Sequence, residues 1–172
     1  MTAVPTTEQI WHWLDGVKDP EIPVISLVEL GIVRDVRYED KTAVVTISPT
    51  YSGCPATAVI RLDIETALRG HGIDPLRIEQ QLSPVWTTDW ITPDGRAKLH
   101  EYGIAPPVDG TAADGRLQAR VGALTGGQNF VVVCPRCGSG KTEKVSQFGS
   151  TPCKASYRCT DCLEPFDYFK CI

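Results

Sequence analysis

The amino-acid sequence predicts an α+β chain: a small two-layer domain over residues 1–102, a linker over 103–129 and a cysteine-rich metal-binding tail over 130–172. Three observations predict it. Apolar residues recur with helical and then alternating spacing in the order helix, strand, strand, helix, strand, helix, the pattern of helices layered on a sheet. Residues 103–129 are rich in Gly, Ala and Pro and hold no sustained period. Six of the seven cysteines fall in the last 39 residues.

At 172 residues, 42% hydrophobic and 22% charged, the chain can build one ordinary core and a small accessory module. No run of about 18 apolar residues is present, and MTAVPTTEQIW lacks the basic start and apolar centre of a signal peptide. A soluble, cytoplasmic protein is expected. In a reducing compartment its cysteines read as metal ligands or reactive thiols rather than disulfides. Residues 1–133 carry 11 Lys and Arg against 17 Asp and Glu, and residues 134–172 carry 6 against 4. An acidic body and a mildly basic tail argue against a phosphate backbone as the main partner, because that affinity comes from clustered cations.

The first helix, about 6–17, follows from Thr6 and Gln9 at capping-box spacing and from Ile10, Trp13, Leu14 and Val17 along one stripe. Lys18-Asp19-Pro20-Glu21-Ile22-Pro23 stops it, since each proline removes a donor and restricts its predecessor. A loop with two carboxylates follows. Ile32 to Tyr38 and Thr42 to Ile47 are β-rich and separated by Glu39-Asp40-Lys41, which reads as a hairpin. Pro55 suits a first helical position, and Ile60, Ile64, Ala67 and Leu68 form an apolar face ended by Gly70 and Gly72. Leu76 to Leu82 alternates as a third strand. Ser83 to Trp90 reads as an extended edge before a short helix near 93–102, and the four tryptophans read as core and edge packing, with Trp86 and Trp90 as an exposed patch the alternative. Within the linker, Arg116 to Val121 reads as a short strand.

In the tail, Cys134-Pro135-Arg136-Cys137 and Cys159-Thr160-Asp161-Cys162 are two C-x-x-C pairs 21 residues apart, the spacing of a four-cysteine zinc ribbon. A two-residue gap lets both sulfurs of a tight turn face one ion, and Gly138 lets the backbone curl beneath it. Phe130 to Val133 and Phe166 to Phe169 are the expected ribbon strands. About 40 residues cannot bury enough apolar surface to fold alone, so a structural zinc would contribute on the order of 10 kcal/mol. Iron is the alternative metal: one tetrathiolate iron, or a cluster, would make the tail an electron carrier. Cys153 and Cys171 exceed four ligands and are either buried small hydrophobes or alternative, metal-transferring thiols.

Cys54 stands apart. If Pro55 opens the helix, Cys54 is its N-cap, where the helix dipole favours thiolate over thiol. It is then either a nucleophile and soft-metal ligand or an ordinary cap in place of serine. Gly53 permits close approach, and Thr50 and Ser52 supply hydroxyls. His12 reads as a helix-surface residue, His71 as a helix-end cation and His100 as a residue without a companion, so no histidine completes a catalytic triad with Cys54.

Asp19-Pro20-Glu21-Ile22-Pro23, Leu30-Gly31-Ile32-Val33, and Thr50 ahead of Cys54-Pro55 resemble the SufT-like family of iron–sulfur cluster assembly proteins over about residues 7–100. Cys134 to Ser139, Phe148-Gly149-Ser150-Thr151, Cys153-Lys154-Ala155 and Glu164 to Cys171 extend the match: the whole chain resembles the family of D subunits of bacterial phenylacetyl-CoA epoxidase systems. The resemblance implies a SufT-like domain with a zinc-ribbon tail and a non-catalytic maturation role. The protein would help insert iron or an iron–sulfur cluster, held transiently, into the iron–sulfur reductase or diiron subunit of the oxygenase. It further implies Cys54 as the iron or cluster contact, with Asp19 and Thr50 lining the same site; the ribbon tail is not part of the general SufT-like pattern, and docking on the client is the role we expect of it. An electron-transfer subunit with redox iron in the tail is the alternative, and a nucleic-acid-binding ribbon ranks last on charge.

Overall fold

A computed structural model describes residues 4–51, 53–107 and 131–170. The chain divides into two compact units, the second beginning at Thr87.

In the first unit, α1 spans Thr7–Asp15. Thr6 caps it: Gln9 N–H donates to Thr6 Oγ1 at 3.3 Å, and Thr6 N–H donates to Gln9 Oε1 at 2.9 Å. This reciprocal pair satisfies two of the orphan donors of the first turn. Ile10 and Leu14 are buried on one side of the helix. The proline-rich segment after it is a closed loop rather than an open connection. Lys18 and Ser26 form an antiparallel bridge, Asp19 N–H donates to the Ile25 carbonyl, and Leu27 N–H donates to the Val17 carbonyl. At its far end Ser26-Leu27-Val28-Glu29 makes a second capping box. Glu29 N–H donates to Ser26 Oγ at 3.0 Å, Ser26 N–H donates to Glu29 Oε2 at 2.9 Å, and Gly31 at φ 71° ends the turn. Ile22, Ile25 and Leu27 pack inward from this loop.

Strands β1 (Val33–Glu39) and β2 (Thr42–Ile47) form an antiparallel hairpin that turns at Asp40, φ 54°. Helix α2 (Thr57–Gly70) then crosses over to β3 (Leu76–Gln80), which lies parallel to β2, so the sheet order is β1-β2-β3. Central β2 is buried along Ala43, Val44, Val45 and Ile47, as expected for a strand paired on both sides. Ile60, Ile64 and Leu68 of α2 fall at helical spacing and are buried. On the face of β1 set by its period of two, Arg37 pairs with Asp35 at 3.0 Å and Glu79 at 2.7 Å, and Arg77 bonds Glu39 and Glu79. Trp86 decides between the core and surface readings of its segment. It is fully buried, with its indole N–H donating to the Leu30 carbonyl at 3.1 Å, and so belongs to no exposed patch.

The second unit opens with a 3-10 turn, Thr88–Trp90, and α3, Pro93–Tyr102, whose N-cap Thr92 accepts from Gly95 N–H at 3.0 Å. Gly103, at φ 95°, ends the helix and turns the chain into β4, Ile104–Ala105. Strand β4 lies parallel to β7 (Pro165–Phe169) in a sheet of order β4-β7-β6-β5, with β6 at Lys154–Cys159 and β5 at Thr142–Ser146. Residues 104–105, expected in a linker, are therefore a strand of this sheet. Its core joins Ala105, Val132, Ala155, Tyr157, Phe166 and Tyr168 to Cys134 and Cys159. The run Val131 to Val133 is not a strand: the Val132 carbonyl takes the Thr142 hydroxyl at 2.6 Å and the chain enters the first knuckle directly. The expected strand at Arg116 to Val121 lies outside the described residues, as do Ser52, Phe130 and Cys171.

Candidate metal centre and thiol site

The four sulfurs of Cys134, Cys137, Cys159 and Cys162 lie within 4.8 Å of one another. Cys134 Sγ is 3.8 Å from Cys162 Sγ, and Cys137 Sγ is 3.6 Å from Cys159 Sγ. A tetrahedral ion with metal–sulfur bonds of about 2.3 Å requires edges of about 3.8 Å, so the side chains present fit a four-thiolate metal site.

The fit comes from two similar turns. In the first knuckle Gly138 N–H donates to the Cys134 carbonyl at 2.9 Å and Cys134 N–H to the Ser139 carbonyl at 2.8 Å. In the second, Cys159 N–H donates to the Glu164 carbonyl at 3.0 Å. Each needs a left-handed residue directly after its last cysteine: Gly138 at φ 74° and, without a glycine's freedom, Leu163 at φ 64°. Arg136 N–H points at Cys134 Sγ, 3.4 Å away. The knuckles are tied together by Asp161, which accepts from Ser139 Oγ at 2.6 Å and Lys141 Nζ at 3.2 Å, and by Thr160 N–H on the Lys141 carbonyl at 2.8 Å. Ser139 first and Lys141 second hold the Asp161 carboxyl below its ordinary range. Spacing does not single out these bracing residues, although Ser139 and Asp161 sit beside the cysteine pairs.

Close sulfurs oppose one another's ionisation. Amide N–H groups of Cys162 and Asp161 help lower the Cys159 thiol to about 7. At Cys162 the Glu164 amide also favours thiolate, but partial desolvation and the three neighbouring sulfurs together push the thiol up to about 12. Opposite shifts within one contact cluster are what like charges sharing a site produce, and a divalent ion removes the conflict. Cys153 is not in this cluster. It is buried, with its sulfur 3.0 Å from Thr151 Oγ1.

Cys54 occupies a turn ahead of α2. Its N–H donates to the Tyr51 carbonyl at 3.3 Å and its carbonyl accepts from Thr57 N–H at 3.1 Å, while the first α-helical bond runs from Ile60 N–H to the Ala56 carbonyl. The N-cap is Ala56, not Cys54, because Pro55 sits in the preceding tighter turn. The sulfur-bearing residue is half-buried, and Gly53 beside it, at φ 90°, has nothing within 4 Å of where a side chain would begin. Thr50 and Asp19 are buried, and Asp19 Oδ1 accepts from Glu21 and Ile22 N–H, each at 2.9 Å, which shapes the Asp19-Pro20-Glu21-Ile22 bend. Val59 and Leu62, on the first turns of α2, are exposed apolar residues that periodicity alone does not single out. His71 follows the last residue of α2 and stacks on Trp13, ring centroids 4.2 Å apart.

These features have counterparts. The iron-sulfur cluster assembly protein family matches residues 7–73, and the PaaD zinc beta ribbon domain matches residues 118–170. A protein of Escherichia coli (strain K12), named as the D subunit of a 1,2-phenylacetyl-CoA epoxidase, is 46% identical over 99% of this chain and 96% of its own length. The chain belongs to the family of phenylacetyl-CoA epoxidase D subunits. Among solved structures, a domain of unknown function, DUF59, from Bacillus anthracis matches with a TM-score of 0.51 and 25% identity, covering 54% of this chain and 90% of that one. A conserved hypothetical protein from Thermotoga maritima matches at 29% identity and a TM-score of 0.49, covering 58% and 98%. This chain thus joins an assembly-type α+β domain to a four-cysteine metal-binding ribbon, and no helix among the described residues is long and apolar enough to cross a membrane.

Proposed function

We propose that this protein is a cytoplasmic, non-catalytic maturation factor for a phenylacetyl-CoA epoxidase, which passes iron or an iron–sulfur cluster to the iron–sulfur reductase or diiron oxygenase component through Cys54. The observation that carries this reading is the half-buried Cys54 in an open turn, within a domain of the iron-sulfur cluster assembly family and a chain 46% identical to an epoxidase component. The step is ligand exchange. A sulfur–iron bond forms at Cys54 as its thiol proton passes to water, and it breaks when ligands of the client replace the sulfur; no electron changes hands. Asp19 and Thr50 are assigned to the same site, and Asp19 also holds the Asp19–Ile22 bend. Structural zinc in the ribbon is supported by the four-sulfur geometry, and zinc has no accessible redox change with which to do electron transfer.

Cys54→Ser should leave the fold and the ribbon metal intact and lower the iron or cluster content of oxygenase components matured with the variant. Fully loaded, active oxygenase from the Cys54→Ser background would refute the assignment. Elemental analysis and a visible spectrum of anaerobically purified protein separate the main alternative. One zinc per chain and no colour support the scaffold role, whereas charge-transfer bands with a reversible one-electron couple would make the ribbon an electron carrier.

A further inference from the structure

We infer that the metal centre and the end of α3 form one coupled unit, joined by Arg136 and Gly103 as positioning residues. Arg136 is a middle residue of the first C-x-x-C turn. Its backbone N–H faces the ligand sulfur of Cys134 at 3.4 Å, while its guanidinium lies over Gly103, so closely that a methyl group there would meet Nη2 at 2.6 Å and Cζ at 2.9 Å. Gly103 ends α3 and its N–H donates to the His100 and Leu99 carbonyls. A guanidinium at that place complements the partial negative charge of the last carbonyls. The chain then passes at once into β4, where Ile104 pairs with Asp167 and Ala105 with Tyr168, and Ala105 shares a core with Cys134 and Cys159.

One residue thus faces a metal ligand through its backbone and a helix terminus through its side chain. The knuckle fixes the arginine's backbone, and from there its side chain reaches over the helix end. Linkage makes the relation reciprocal: whatever orders the end of α3 must also strengthen metal retention. The coupled unit therefore extends beyond the cysteine-rich tail to α3 and β4, and it does not depend on the role assigned to Cys54.

The test uses the full chain loaded with zinc and follows zinc transfer to a chromophoric chelator in the wild type, Gly103→Ala, Arg136→Ala and the double variant. Gly103→Ala should release zinc about tenfold faster, within the usual range of coupling factors. In the Arg136→Ala background the same change should release zinc less than the full tenfold faster, because only the strain of a side chain at φ 95° then remains. Amide hydrogen exchange of the wild type supplies a second reading if a variant fails to fold. Stripping zinc should remove protection across residues 93–105 and leave α1 protected. Additive effects of the two substitutions, or α3 amides that stay protected without zinc, would overturn the inference.

Discussion

Serine in place of a ribbon cysteine should cost more at some positions than at others, and the structure says which. Cys134 and Cys159 are fully buried in the aromatic core of the second unit, whereas Cys137 and Cys162 are exposed. Losing any ligand forfeits much of the metal's contribution, on the order of 10 kcal/mol for a structural zinc, against total domain stabilities of about 5–15 kcal/mol. At Cys134 a serine hydroxyl would also enter the buried cluster that holds Val132, Tyr157 and Phe166, where the Arg136 N–H can offset only part of a desolvation cost of about 1–3 kcal/mol. Cys134→Ser should therefore unfold the second unit outright, while Cys162→Ser retains residual structure that excess zinc partly restores. Urea titrations followed by far-ultraviolet circular dichroism, with and without added zinc, compare the two variants. A Cys134→Ser protein that still binds one metal per chain with an unchanged transition would refute both the ligand assignment and the burial argument.

Two further outcomes concern the first unit. Trp86→Phe removes the indole N–H from the buried Leu30 carbonyl and should destabilise the unit by about 1–3 kcal/mol, read as a lower urea midpoint without a change in slope. The Glu39 carboxyl, held low by Arg77 first and Arg37 second, and the Glu79 carboxyl, held low chiefly by Arg37, add stability above the ordinary glutamate range, and this is lost as pH falls through their depressed values. Melting temperature should drop more steeply below about pH 4 in the wild type than in Glu79→Gln, and equal acid sensitivity in the two would show that the exposed network contributes nothing.

Much of the fold is legible in the sequence because single residues act locally. Thr6 with Gln9, Thr92-Pro93 with Gly103, and the paired C-x-x-C turns each specify their own geometry within a few positions, and each stands where the spacing puts it. Longer-range pairing is hidden. Strand β5 is mostly exposed and β4 has two residues, so neither carries an apolar pattern; they exist because β6 and β7 offer edges. Trp86 has the sequence neighbours of a surface residue, Ser83, Pro84 and Thr87, and its bond to the Leu30 carbonyl, 56 positions earlier, is a pairing no local pattern shows. The second capping box, Ser26 with Glu29, has readable spacing but is masked by the two prolines nearby, which suggest an open loop. At Cys54 the proline is plain in the sequence and its turn is not: a tighter first turn moves the helix start to Ala56.

The parallel pairing of β4 with β7 bears on how this protein can be cut for study. A fragment starting at residue 130 keeps all four ligand cysteines but strips one side of Pro165–Phe169, baring the amides and carbonyls of a strand rich in aromatics. Such a fragment invites self-association through that naked edge, and a boundary placed ahead of Thr87 avoids it.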